Sequence, residues 1–207
     1  MLVAYTFNTA YQPQNTTPQA YPSLRLLEGG KFSPDQYSPV LVQEYDQVRL
    51  KFFKWGLVPS WAGQKRNTEV RYTAPTDQLF QHSAFQIPIG RNRCLIPADG
   101  FYMEECTPFA KRAHKVKADR EETFCFAGIY DTYRNADGTI CHTFAIITTP
   151  ATNSLQRLGQ MTPLILKKHE EKIWLDPQVN MKKLMSILTP STPTALQAHP
   201  VEELIAA

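Results

Sequence analysis

Arg91-Asn92-Arg93-Cys94-Leu95-Ile96-Pro97-Ala98-Asp99-Gly100-Phe101-Tyr102 is the stretch on which the fold reading turns. A basic opening leads into a short apolar strand, and Pro97-Ala98-Asp99-Gly100 follows as a turn. Gly100 is expected to supply a backbone angle that other residues resist, with Asp99 capping the turn. Cys94, set among apolar neighbours, reads as a buried thiol, because burial disfavours the thiolate a nucleophile needs.

On the N-terminal side, Val40 to Glu44 and Val48 to Phe53 are β-rich runs separated by Tyr45-Asp46-Gln47, which predicts a hairpin. Val48, Leu50 and Phe52 alternate with Arg49 and Lys51, the period of a half-buried strand. On the C-terminal side, Thr123 to Tyr130 and Thr139 to Thr148 flank the turn signal Asn135-Ala136-Asp137-Gly138. Both arms are apolar on both faces, which makes them central strands. Short helices are expected at Asp77 to Ala84, Lys168 to Trp174 and Asn180 to Leu188. Strands outnumber helices without βαβ alternation, so the fold class is α+β: one domain, a curled, barrel-like, mainly antiparallel sheet with short peripheral helices.

The termini read differently. Residues 12 to 39 carry Pro13, Pro18, Pro22, Pro34 and Pro39, which argues for an extended, looping stretch ordered by Tyr21, Phe32 and Tyr37. After Leu188, Thr-Pro-Ser-Thr-Pro-Thr reads as a linker, giving a domain at 1–190 and a C-terminal tail at 191–207. Met1-Leu2-Val3-Ala4-Tyr5 has no basic leader, and no apolar run approaches the ~18 residues of a membrane span.

The 207 residues are 43% hydrophobic and 20% charged, enough for one sizeable core. A net charge of +3, from 22 basic and 19 acidic residues, confines any nucleic-acid site to a local patch. The four cysteines contain no Cys-x-x-Cys pair, which fits reduced thiols in a cytoplasmic monomer. Cys141 and His142 are adjacent, so a strand points them to opposite faces; no metal or cofactor is expected.

Two segments could carry function. Trp55-Gly56-Leu57-Val58-Pro59-Ser60-Trp61 sets two tryptophans close to Lys51, Lys54, Lys65, Arg66 and Arg71, the ingredients of a single-strand platform on which bases stack and phosphates meet cations. The same rings serve equally as packing. Lys111 to Glu122, with five basic and three acidic residues, reads as a solvated loop or edge strand.

Taken together, the segments resemble the SOS response-associated peptidase family, whose members are also called abasic-site processing proteins. Trp55 to Trp61 is similar to its Trp-Gly-Leu-Ile-Pro-Ser-Trp, and Arg93 to Tyr102 to its Arg-Cys-Leu-Val-Pro-Ala-Asp-Gly-Phe-Tyr. Phe126 to Tyr130, Phe144 to Thr149 and Trp174 to Pro177 resemble Phe-Ala-Gly-Leu-Trp, Phe-x-Ile-Ile-Thr-Thr and Trp-Leu-Asp-Pro. The resemblance implies a mechanism: a Cys exposed by removal of the initiator Met captures the aldehyde of an abasic site in single-stranded DNA with its thiol and α-amine. A Glu and a His assist proton transfer, and an Asn-Ala-Arg-x-Glu segment helps hold the strand.

At each of those places this sequence departs. Leu2 stands where the nucleophile belongs, and its size predicts that Met1 is kept. Met103 takes the place of the Glu, with Glu104 one step out of register and therefore on the other face of a strand. Gly159 and Met161 replace the His and Arg of a His-x-Arg-Met-Pro segment, and Arg71 to Thr76 lacks the DNA-holding set. The resemblance thus implies a non-catalytic member with no catalytic residues, whose expected DNA contacts are Trp55, Trp61, Arg71, Arg91 and Arg93. Two alternatives stand beside it: an active abasic-site enzyme with replaced chemistry, and a binder of a small ligand or a protein through an apolar pocket at Leu2, Met103 and Met161.

Overall fold

The computed structural model of the chain describes residues 1–8, 29–62, 69–106, 111–118, 123–189 and 196–201. Most of the proline-rich stretch, Lys65 and Arg66, the end of the Lys111 to Glu122 segment, and the Thr/Pro linker after Thr189 lie outside those residues.

The two hairpins organise the larger sheet. β3 (Tyr37–Glu44) and β4 (Gln47–Trp55) pair over their length through a turn at Tyr45-Asp46, where Tyr45 takes a φ of 52°. Gln47, expected in the turn, is the first residue of β4 opposite Glu44. β9 (Phe124–Arg134) and β10 (Ile140–Pro150) meet through the anticipated Asn135 to Gly138 turn, closed by Asn135 N–H donating to the Thr139 carbonyl at 2.9 Å. β6 (Arg93–Ala98) lies between β3 and β9. A parallel pairing of β10 with β4 then closes the circuit β4-β3-β6-β9-β10, a five-stranded barrel. Closure removes the exposed strand edges that a flat sheet would present. Short strands β5 (Thr73–Pro75), β11 (Met161–Pro163) and β12 (Ile165–Leu166) extend it.

A second, five-stranded antiparallel sheet has the order β13-β8-β7-β1-β2. Its members are β1 (Leu2–Phe7), β2 (Gly30–Phe32), β7 (Gly100–Cys106), β8 (Lys111–Ala118) and β13 (Leu196–Val201). Two expectations are corrected here. The segment 191–207 is not simply a tail, because residues 196–201 pair along β8; and β8 is therefore flanked by β7 and β13 and is no edge strand. Backbone hydrogen bonding recruits such a segment regardless of its weakly patterned side chains.

Gly100 corrects a third. Its backbone is outside the left-handed region, and it lies in β7, where an added Cβ would sit 3.0 Å from the Val116 carbonyl; it is needed for close approach. Gly128 is a sharper case on β9, since a Cβ there would fall 2.2 Å from Ile96 Cδ1 and 2.9 Å from Cys94 Sγ.

Strand alternation divides the core in two. Leu41, Leu95, Ala127, Ile129, Ala145 and Ile147 pack with three helices: α1 (Ser83–Arg91), α2 (Lys168–Leu175) and α3 (Met181–Leu188). Their neighbours Val40, Val42, Cys94, Ile96, Phe126, Phe144 and Ile146 pack with Tyr5, Phe101, Met103 and Val116 of the second sheet. The first helix is displaced from the expected Asp77 to Ala84: His82 is its N-cap, accepting from Ala84 N–H at 3.2 Å, and Pro88 lies inside it. Burial of Phe85 and Ile89, one turn apart, overrides the breaker.

Candidate functional site

β1 and β7 pair antiparallel, with a bulge between Leu2 and Ala4 that sets Leu2 opposite Met103 while Ala4 remains opposite Tyr102. Without the extra residue Leu2 would face Glu104 and point to the other side of the sheet. Bulges commonly re-aim a side chain in this way beside functional sites. Met1 then sits against Glu104, its N–H donating to the Glu104 carbonyl at 2.7 Å and its own carbonyl accepting from Glu104 N–H at 2.9 Å.

Gly159, which follows a 3-10 turn at Asn153–Leu158, comes to the same place. A Cβ on Gly159 would lie 3.5 Å from Met103 Cε and 3.7 Å from the Met1 nitrogen. Positions 2, 103 and 159 are far apart in sequence, yet tertiary structure gathers them at one seam. What they present is apolar: Leu2 is 7% exposed, Met103 is fully buried, and both join Leu155 and Leu158 in one core cluster. This corrects the picture of Leu2 and Met103 as the lining of an open apolar pocket, because their side chains are themselves the filling. Met161, the third residue of that reading, is half-buried in β11.

The sequence reading missed one polar pair at this seam. His114 on β8 lies directly across from Met103, buried, with its Nε2 3.8 Å from Glu105 Oε2 and no partner for Nδ1 among the described residues. Facing residues share a side of the sheet, so Leu2, Met103 and His114 form one row. The segment's charge density hid this, although the alternation of His114, Val116 and Ala118 with Lys115 and Lys117 carried a period-2 signal.

The expected DNA contacts separate into buried and exposed sets. Trp55 is fully buried, its Nε1–H donating to the Tyr72 carbonyl at 2.8 Å, and it offers no ring face to a base. Arg93 is 5% exposed and its guanidinium donates to the carbonyls of Trp174, Asp176, Ile89 and Gly90 at 2.6 to 2.9 Å. Those bonds consume the fork that a phosphate would need, so both residues are corrected to structural roles.

Trp61 is 53% exposed and is held in place by a braced turn. It sits in a 3-10 turn at Ser60–Ala62, whose Ser60 N–H donates to Asp131 Oδ2 at 2.8 Å, while Val58 N–H donates to Thr143 Oγ1 at 3.0 Å. Arg71 is tied to the same loop by paired backbone bonds with Leu57 at 2.8 and 3.1 Å. Its guanidinium reaches Glu69 at 2.6 Å and His82 Nε2 at 3.2 Å. Arg91 is exposed on the last turn of α1.

Burial pushes the Cys94 thiol far up, as expected for an inert core cysteine. Cys141 Sγ accepts from Asn135 Nδ2 at 3.2 Å, while His142 stacks on Phe53 with ring centroids 5.0 Å apart. No cluster of three metal-ligating side chains occurs among the described residues.

Comparison with known proteins agrees with this architecture. Abasic site processing protein YoqW of Bacillus subtilis is 29% identical over 175 residues, covering 84% of this chain and 78% of that one. YoaM of the same organism, also an abasic site processing protein, is 28% identical over 189 residues, or 90% and 83% of the two chains. Among solved structures, a protein from Bacteroides thetaiotaomicron superposes with a TM-score of 0.77 at 25% identity over 97% of this chain and 92% of that one. A phage-related protein of Bordetella bronchiseptica gives 0.75 at 22%, over 97% and 94%. The family model described as SOS response associated peptidase (SRAP) matches residues 10–207, a span that does not include Leu2. With nearly the whole chain matched and the fold shared, the protein belongs to the SRAP family.

Proposed function

We propose that this protein serves an abasic-site response by binding single-stranded DNA without capturing it covalently. One observation carries the reading: the three positions that the family resemblance assigns to capture and proton transfer meet at one seam, and Leu2, Met103 and Gly159 occupy it. A hydrocarbon, a thioether and a hydrogen supply neither a thiol nor a proton carrier, and the Met1 amine beside them is engaged by the Glu104 carbonyl at 2.7 Å. The exposed Trp61 on its braced turn, with Arg71 bonded to the same loop, supplies a stacking face and a cation for a strand.

The test is a titration with a fluorescent single-stranded oligonucleotide containing one abasic site, at two salt concentrations, ended on a denaturing gel. Binding that weakens steeply with salt and leaves no band after denaturation is the expected outcome, since each neutralised phosphate releases counterions. A band that survives denaturation would overturn the non-covalent reading. Absence of binding at low salt would overturn the DNA reading itself.

A further inference from the structure

Arg71 is shared between two partners. Its Nη2 donates to Glu69 Oε2 at 2.6 Å and lies 3.2 Å from His82 Nε2, while its Nε is buried with no partner among the described residues. The Arg71 side chain is 32% exposed and that of Glu69 69%, so solvent reaches the pair. An ion pair in that setting is weak, because water screens it and two long side chains must be ordered to hold it. Another anion can therefore take the carboxylate's place.

His82 is engaged from two sides. As the N-cap of α1 it accepts from Ala84 N–H through Nδ1 at 3.2 Å, and its Nε2 faces the Arg71 donor. Phe85 packs on the ring with centroids 4.8 Å apart, which fixes the ring's place. A neutral imidazole has one acceptor nitrogen and one N–H. If Nδ1 accepts the cap bond, Nε2 carries the hydrogen and points it at a guanidinium that also donates. If Nε2 accepts from Arg71, Nδ1 carries the hydrogen and the cap bond is lost. In either tautomer one donor faces another.

An anion with several acceptor oxygens resolves this conflict. With the cap bond kept, the Nε2–H and the Arg71 guanidinium are two donors directed at one place, where the Glu69 carboxylate already reaches the guanidinium. A backbone phosphate can accept from both, and guanidinium–phosphate bonds are among the stronger charge-assisted ones.

We propose that Arg71 and His82 form a clamp for one backbone phosphate of the DNA strand, which Glu69 occupies as a tethered stand-in until the phosphate displaces it. The proposal rests on the reading of Arg71 as a strand contact, adds His82 Nε2–H as a second donor, and makes Glu69 a competitor.

Fluorescence anisotropy of the full chain with a labelled oligothymidylate, across a series of salt concentrations, tests it. Glu69→Gln should tighten binding about two- to fivefold, the scale of releasing an exposed ion pair. That gain should vanish in an Arg71→Gln background, where no clamp remains to be occupied; a general effect of removing one negative charge would persist. His82→Asn should weaken binding about tenfold, the scale of a hydrogen bond to a charged group. It should keep its melting temperature, since Asn caps a helix well, and its salt slope, since a neutral donor releases no counterion. Arg71→Gln should lower that slope by about 0.7, the single-strand value for one phosphate contact. The clamp is overturned if Glu69→Gln fails to tighten binding, if its gain survives Arg71→Gln, or if His82→Asn binds undiminished while the unsubstituted protein binds in a salt-sensitive way. Absence of any strand binding by the unsubstituted protein at low salt would instead overturn the strand-binding reading, and the clamp with it.

Discussion

The barrel and the β1–β7 seam have been treated in opposite ways by the sequence. In and around the barrel, the residues of the family-like motifs are present and buried: Trp55, Arg93, Gly128 and Trp174 each fill a place where a bond or a close contact depends on that residue type. At the seam, the positions that the resemblance links to chemistry hold Leu2, Met103 and Gly159. Motif segments shared across a family therefore report chiefly what the fold requires. Activity has to be read at the site, because one fold accommodates residues with and without reactive groups.

The largest test of this contrast is Arg93→Ala. It strips donors from four carbonyls at the junction of α1, β6 and α2, and it should cost at least about 3 kcal/mol in urea denaturation, each buried unpaired group costing about 1–3. Arg93→Lys should fail to recover it, since one ammonium cannot reproduce a planar fork. A small effect would remove the barrel side of the contrast.

Met103→Ala tests the seam. A fully buried side chain packed with Leu2, Leu155 and Leu158 should cost about 2–4 kcal/mol when truncated, by transfer and cavity terms together. A near-neutral result would mean that the seam is still an open site and has not become core. Trp61→Ala comes next and should leave stability within about 0.5 kcal/mol while weakening single-strand binding by about 1–3 kcal/mol, measured by fluorescence anisotropy.

The smallest effect concerns the contact between Asp35, in the turn between β2 and β3, and Tyr72, directly before β5. The Tyr72 hydroxyl donates to Asp35 at 2.7 Å, and this bond, followed by Lys54, holds the Asp35 carboxylate below its ordinary range. A carboxylate whose folded pKa is lowered stabilises the protein above its unfolded pKa and loses that contribution as pH falls through the folded value. Tyr72→Phe should therefore reduce stability at pH 7 by no more than about 0.5 kcal/mol, because Asp35 is largely exposed. The difference from the unsubstituted protein should shrink below about pH 4, near the unfolded carboxylate value, in melting curves taken across pH.

Much of the scaffold was legible in the residues. Alternation in Val48 to Phe52 and the Asn135 to Gly138 turn predicted both hairpins, and Lys168 and Asn180 marked two helices within a residue of their observed starts. The first helix escaped because Pro88 reads as a boundary, whereas packing of Phe85 and Ile89 keeps it helical. β13 escaped because Pro200 lies within it and a Thr/Pro run precedes it, whereas backbone pairing along β8 makes it a strand. Of the expected DNA contacts, the residues named Trp61 and Trp55 alike, but only the structure exposes Trp61 and buries Trp55 and Arg93, since side-chain type alone does not say which of two tryptophans faces water.

Sequence by itself determined the α+β class, the hairpin order and the identity of Leu2, Met103 and Gly159, because period, turn chemistry and residue type are local properties. Only tertiary structure decided that the bulge turns Leu2 toward Met103, that Gly159 arrives beside them, and that Glu69 and His82 converge on Arg71. The physical reason is that strand register and packing set which distant side chains share a face, and a one-residue change in register reverses that face.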